Sequence, residues 1–257
     1  KEGFKCKNTR KVGSCMAKIV PIEEAVALIK PGSSFSFNGF LGVSTPIKLF
    51  EGLVKAGTKD LSIVAAVMSF PYEEHDISIL AVNKQIKKIT AAHVGTSREI
   101  SKQYFAGEID IDFVPMGTVA ECLHAGGAGL GGVITPVGVG TVQEESHEKI
   151  VRNGKEYLWY DPITTDAALI KVNKVDKEGN CYCFGTSKAL ALECALAAET
   201  VIVEADEIVE VGDIEPTDVY IPGMLVDYIV QGLTPAERQD YYKELWGKHN
   251  LLSKGVN

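Results

Sequence analysis

Residues 61–127 read LSIVAAVMSFPYEEHDISILAVNKQIKKITAAHVGTSREISKQYFAGEIDIDFVPMGTVAECLHAGG. Three β-rich runs lie in this stretch: LSIVAAV (61–67), QIKKITAAHV (85–94) and IDIDFVP (109–115). Two runs with apolar residues at helical spacing, SREISKQYFAGE (97–108) and TVAECLHAGG (118–127), fall between or after them. Strands that alternate with helices are joined by crossovers, and such alternation builds a parallel sheet with helices over its faces. The expected fold class is therefore α/β, an open and mostly parallel sheet with covering helices.

The pattern extends in both directions. Upstream, SSFSFNGF (33–40) reads as a strand ended by Asn38-Gly39, and TPIKLFEGLVKAG (45–57) as a helix with Thr45 as N-cap, Pro46 at N1 and a glycine stop. Before them, MAKIVPIEEAVALIKPG (16–32) shows apolar residues at helical spacing until Pro31-Gly32 ends it. Residues 1–15 carry five basic side chains against Glu2 and no apolar period, so they read as a flexible leader. Downstream, the glycine-rich GGAGLGGVITPVGVGTV (126–142) precedes EKIVRNGKEYLWY (148–160), a hairpin turning at Asn153-Gly154. Strand ALIKVNKV, strand NCYCFG, helix SKALALECALAA and strand TVIVEAD follow without a linker or repeat. One domain over 16–232 results, with 233–257 as a C-terminal helical extension. That extension opens with the capping pattern Thr234-Pro235-x-Glu237, and its stripe of Tyr242, Leu245 and Trp246 needs a surface to cover.

Hydrophobic residues at 46%, charged residues at 23% and 25 glycines in 257 residues exclude disordered, collagen-like and coiled-coil classes. A net charge of −8 disfavours phosphate-backbone binding, so nucleic acid is not an expected partner. No run of 18 apolar residues appears, which gives no reason to expect a membrane span and makes the cytoplasm the expected location. Six cysteines are too few and too scattered for a disulfide framework. Cys181-x-Cys183 places two thiols on one face of a strand, yet no second pair supplies the rest of a zinc site. Cys122 lies two residues from His124, a spacing that does not face the two side chains together on a helix, so a packed thiol is the better reading.

Two glycine motifs carry possible chemistry. Gly127-Ala-Gly129-Leu-Gly-Gly132 spells GxGxxG, but a helix-like segment precedes it and Pro136 follows, the reverse of a dinucleotide-binding context. Its glycines serve either close backbone packing or the approach of a ligand to the main chain. Asn38-Gly39-Phe40-Leu41-Gly42-Val43-Ser44-Thr45-Pro46 is a glycine loop running into a helix start, where unpaired N–H groups can hold an anion or form an ordinary βα connection.

Together, NGFLGVSTPIKLFEGLVKAGTKDLSIVA, HVGTSREISKQYFAGEIDIDFVPMGTVAECLHAGGAGLGGVITPVGVGTVQEE, KEYLWYDPITTDAALIKVNKVDKEGN and VIVEADEIVEVGDIEPTDVYIPGMLVDYIVQG resemble, in that order, the α subunit of family I coenzyme A transferases. The resemblance spans about residues 17–232 and is nearest the acetate/acetoacetate and 3-oxoacid type. It implies the fold shared with ribose-phosphate isomerases and a heteromeric α2β2 or higher enzyme in which coenzyme A is a substrate, with no resident cofactor and no metal. It further implies ping-pong transfer between an acyl-CoA and a short acid such as acetate, butyrate or a 3-oxo acid, through a glutamate of the β subunit. No catalytic nucleophile is then expected on this chain. Glu210-Val211-Gly212 matches the E-x-G spacing of that nucleophile but sits in the α-type motif EADEIVEVGDIEP, so Glu210 reads as structural; Glu204, Asp206 and Glu207 read as solvated or paired.

The resemblance assigns substrate or oxyanion contacts to Asn38, Gly39, Phe40, Gly42, Val67, Met116, Gly117, Gly127 and Gly129. Several positions depart from the family pattern. Pro115-Met116-Gly117-Thr118 replaces PQGT, Ala65-Ala66-Val67 stands where asparagines are frequent, and GTSKALA (185–191) stands for GTARNFN. Asn38 and Ser44 replace glycines, and the Asn38 amide is expected to donate in compensation. Loss of amide donors argues against acetoacetate as the preferred acid. Met116, Val67 and Phe40 are expected to form an apolar acyl wall, the alternative for Met116 being core filling. A second functional class, a ligand-binding or sugar-phosphate isomerase-like protein on the same scaffold, is the rival reading.

Overall fold

The computed structural model describes residues 17–72 and 74–252. The expected leader and Met16 lie outside the described residues, as do Cys6 and Cys15. Eight strands make one parallel sheet, ordered β1 (Lys18–Ile19), β12 (Tyr228–Gln231), β11 (Ala198–Val209), β9 (Thr165–Asp176), β2 (Ser34–Phe37), β3 (Leu61–Val64), β4 (Ile86–Ala91) and β5 (Asp110–Phe113). The two-residue β10 (Cys181–Tyr182) adds antiparallel to β9. A separate three-stranded antiparallel sheet is formed by β6 (Val133–Thr135), β8 (Lys155–Tyr160) and β7 (Lys149–Arg152). Asn153 and Gly154, at φ 52° and 73°, close its hairpin as the sequence indicates.

Central strands are apolar on both faces because helices cover both. From β9, Ala168, Ile170 and Val172 enter one core with α5 (Met116–Ala128) and α6 (Ala191–Ala197). The alternate residues Ala167 and Leu169 enter a second core under α1 (Ile22–Val26), α2 (Ile47–Ala56), α3 (Ser78–Val82) and α4 (Arg98–Phe105). The same period of two sends Lys171 of β9 and Glu204 and Asp206 of β11 to the second face, beyond Leu169 and Ile202.

Two helix starts differ from the sequence reading. The segment from Met16 is not helical throughout: Lys18 and Ile19 pair with Tyr228 and Ile229 as an edge strand, and α1 begins only after Pro21. In α2, Thr45 is not the N-cap; its hydroxyl donates to the Gly42 carbonyl at 3.4 Å. The acceptor for an early α2 amide comes from elsewhere, since the Leu49 N–H donates to Glu204 Oε2 at 3.0 Å. By contrast Ser97 caps α4, accepting from the Ile100 amide.

The C-terminal extension folds as α7 (Pro235–Lys248) with the expected Thr234–Glu237 capping box. It covers the second face near the carboxyl ends of the strands, burying Arg238 and Leu245. No described helix is long and apolar enough to cross a membrane.

Candidate active site

In a parallel sheet the loops after the strands gather along the carboxyl edge, and ligands of open α/β folds bind there. Asn38 follows β2, Val67 follows β3 and Met116 follows β5, so the structure places these three expected site residues on one edge. They are not equally close. Adjacent strands are about 4.8 Å apart, which puts the β5 end roughly 14 Å from the β2 end.

The loop after β2 has defined internal geometry. Phe40 and Val43 exchange backbone hydrogen bonds at 3.0 and 2.9 Å, and Leu41 and Gly42 between them have φ of 49° and 77°, the left-handed pair of a type I′ turn. Glycine is required at 42 for a second reason, because a Cβ there would stand 2.7 Å from Asp76 Oδ2 and 2.9 Å from Phe70 Cβ. The Gly39 amide donates to Ala189 O at 3.3 Å and the Phe40 amide is used in the turn. Among the described residues the N–H groups of Leu41 and Gly42 have no acceptor.

Asn38 does not act as a replacement donor toward a ligand. It is fully buried, its Nδ2 donates to the carbonyls of Lys171 and Ser187 at 2.8 Å each, and its Oδ1 accepts from the Lys171 amide at 2.7 Å. With all of these groups engaged, the side chain pins the end of β2 to β9. Ser44 is fastened too: its Oγ shares a 2.8 Å bond with Thr186 Oγ1.

Behind the loop lies a buried network that the sequence reading missed. Lys171 Nζ pairs with Asp206 Oδ2 at 2.7 Å, and Arg238 from α7 reaches Asp206 through Nε at 2.6 Å and Glu204 through Nη2 at 3.3 Å. Burial pushes the Glu204 carboxyl up to about 7 against the pull of Arg238 and the Leu49 amide. Burial lowers Lys171, partly offset by Asp206, whereas for Arg238 the two carboxylates outweigh burial and hold it above its usual value. Asp76, under Gly42, accepts from the amides of Phe70 and Ser78 at 3.2 and 3.3 Å, yet burial raises its pKa to about 8. Glu204 and Asp206 were read as solvated or paired, and they are paired and buried; Glu207 is half-exposed beside Lys174.

The other expected residues divide. Phe40 and Met116 are 41% and 45% exposed, so Met116 does not fill core space. Gly117 follows it in α5 with open space where a Cβ would stand. Val67 is buried and bridges His93. Gly127 lies within α5, where a Cβ would come 2.5 Å from Leu196 Cβ, which gives it the task of letting α5 approach α6. Gly129 is the left-handed cap that ends α5, so the GxGxxG letters close a helix and do not open one. Glu210 stands on an exposed turn paired with Lys177.

Burial raises the thiols of Cys122 and Cys183 to about 11 and that of Cys194 to about 12, leaving them protonated. Among the described residues no cluster of three or more His, Cys, Asp or Glu side chains is placed to hold a metal ion. A cleft of about 680 Å³ lies away from the β2 loop, between β3–β5 and the small sheet, lined by Ser62, Lys88, Asp112, His147 and Trp159 among others. The loop after β2 differs from this cleft in carrying two amides without an acceptor at the carboxyl edge.

Residues 19–232 match the family model described as Coenzyme A transferase. The chain is 36% identical over 213 residues to the acetate CoA-transferase subunit alpha of Escherichia coli K12, covering 83% of this chain and 96% of that protein. It is 39% identical over 215 residues to the acetoacetyl-CoA:acetate/butyrate CoA transferase alpha subunit of Clostridium acetobutylicum, covering 84% of this chain and 98% of the relative. Among solved structures, an acyl-CoA transferase from Escherichia coli O157:H7, determined as a thioester complex with CoA, superposes with a TM-score of 0.74 at 24% identity. That alignment takes in 84% of this chain and about half, 47%, of the larger one, and it establishes the fold.

Proposed function

The chain belongs to the coenzyme A transferase family, and from that premise we propose that it is the α half of a heteromeric acyl-CoA:carboxylate CoA-transferase. It works with a homologous β subunit that carries the nucleophilic glutamate, in an α2β2 or higher assembly. The observation that carries this reading is the pairing of two acceptor-less amides, Leu41 and Gly42, with the absence of a usable carboxylate behind them. Glu204 and Asp206 are buried and held by Arg238 and Lys171.

The chemistry follows as a ping-pong exchange. The partner's glutamate carboxylate adds to the thioester carbonyl, the C–S bond breaks, and CoA thiolate leaves an acyl-glutamyl anhydride. The thiolate then attacks the glutamyl carbonyl, releasing the free acid and leaving a glutamyl-CoA thioester; a second acid reverses the sequence. Each addition places negative charge on a carbonyl oxygen, and fixed N–H donors stabilise that charge without reorganising. The Leu41 and Gly42 amides are our assignment for those donors. Phe40 and Phe184, 41% and 70% exposed at this edge, give the partner an apolar surface to cover.

Saturated short acids such as acetate or butyrate fit better than 3-oxo acids, because Met116 and Val67 offer no hydrogen bond to a keto oxygen. Turnover of the co-expressed pair against a panel of acyl-CoA donors and acids tests the reading. In that panel Met116→Gln should lower kcat/KM for butyrate relative to acetoacetate by about 1 kcal/mol, roughly fivefold, at the low end for an amide set into an apolar wall because Met116 is half-exposed in this chain. Equal losses for every acid would remove Met116 from the substrate pocket.

A further inference from the structure

The family match ends at residue 232, and α7 begins at Pro235, so this helix lies beyond the matched region. It is nevertheless bound to the loop that presents the free amides. The Tyr242 hydroxyl donates to the Gly42 carbonyl at 3.0 Å and accepts from the Ser44 amide at 3.1 Å, bridging the far side of the turn. Four of the loop's residues, Gly39, Leu41, Gly42 and Ser44, have left-handed backbone, and two of them are not glycine. Such backbone persists only where the surroundings over-determine it. The bridge ties the turn where that strain is concentrated.

Tyr242 is itself fixed from several sides. Its ring stacks on Trp246 at 5.1 Å and meets Tyr241 edge-on at 5.5 Å. One turn earlier on the same face, Arg238 enters the buried pairs with Asp206 and Glu204. Farther along, Tyr241 bonds His75, and His249 stacks on Tyr72 at 4.9 Å. The helix therefore holds both the glycine loop and the adjoining segment after β3.

We propose that Tyr242 is a positioning residue for the transfer reaction, its hydroxyl setting the conformation of residues 39–45 and so the direction in which the Leu41 and Gly42 amides point. This rests on the transferase reading above, in which those amides face the developing oxyanion. Donors of this kind act only when held at the site where charge develops, and a misplacement of about 1 Å can cost roughly a hundredfold in rate.

Tyr242→Phe is the test, since it keeps the ring packing and removes one oxygen; deletion of α7 would also strip Arg238 from two buried carboxylates. Hydrogen exchange on the full chain should show the amides of Val43 and Ser44 exchanging roughly tenfold faster in the variant, while α7 amides stay protected. In the co-expressed complex, kcat should fall roughly tenfold with KM for acyl-CoA within about twofold of wild type, the split expected for an interaction made in the transition state. Unchanged exchange at 43 and 44 would overturn the proposal, and so would faster exchange with an unchanged kcat. A wild-type complex inactive with every donor and acid would instead sink the transferase reading, while the exchange result still decides whether Tyr242 holds the loop.

Discussion

Replacing Arg238 with methionine is expected to cost the folded chain about 3 to 5 kcal/mol, the largest stability loss we anticipate from one exposed-to-buried contact of α7. The guanidinium is the cation that Asp206 and Glu204 share across the second face of the sheet, with Lys171 assisting only at Asp206. Methionine keeps the apolar stem and leaves Glu204, completely buried, with the Leu49 amide as its remaining donor. At about 2 to 4 °C per kcal/mol for a chain of this size, the melting temperature should drop by roughly 10 °C. Arg238→Lys should be intermediate, because an ammonium is a point donor and does not reproduce the fork that spans two carboxylates.

The loss should also depend on pH with a definite sign. Glu204 has a folded pKa raised to about 7 against an ordinary 4.5, so its protonated form is favoured by folding. That contribution is complete below the unfolded value and disappears as pH rises through the folded one. Without Arg238 the carboxylate is worse placed still, which moves its folded pKa higher and enlarges the loss above neutrality. Denaturant midpoints of wild type and Arg238→Met, measured at pH 5 and pH 8, should therefore diverge more at pH 8. A defect under 1 kcal/mol, or one equal at both values, would contradict the role given to the network.

Much of this arrangement was written in local sequence. The apolar runs of β3, β4 and β11, the Thr234 cap and the Asn153-Gly154 turn each follow from a few neighbouring residues. What escaped was set by distant partners. Thr45 has the right side chain for a cap, but Glu204, 155 positions beyond Leu49, supplies the acceptor to the Leu49 amide of α2. Asn38 has donors on paper, and the crossing of β2 beside β9 uses them up. Nor does the side chain of Leu41 announce a left-handed backbone. A signal for the charged network did exist: Glu204 and Asp206 share a face of the otherwise apolar TVIVEAD, and Arg238, Tyr242 and Leu245 follow helical spacing on one stripe.

The purified chain alone should turn over no acyl-CoA, at least roughly a thousandfold below the complex with its β subunit, because amide donors can stabilise an oxyanion but cannot form an anhydride. Four candidate carboxylates are disqualified by their surroundings. Asp76 lies under Gly42 with its pKa raised by burial to about 8, so near neutral pH it is mostly protonated and a poor nucleophile. Glu204 and Asp206 point into the core toward Arg238. Glu210 has the spacing of a nucleophile, but its side chain is 69% exposed on a turn beyond β11 and paired with Lys177. Glu210→Gln should accordingly leave the kcat of the complex within about twofold, the range of a surface ion pair that contributes little. Mixing the separately purified subunits and following CoA exchange between acetate and butyryl-CoA distinguishes the cases. Robust turnover by the single chain, abolished by Glu210→Gln, would move the nucleophile onto this subunit and overturn the division of labour proposed here. Turnover that appears only on mixing, and survives Glu210→Gln, leaves this chain the task its geometry suits, holding two acceptor-less amides at the carboxyl edge for a carboxylate supplied from across the interface.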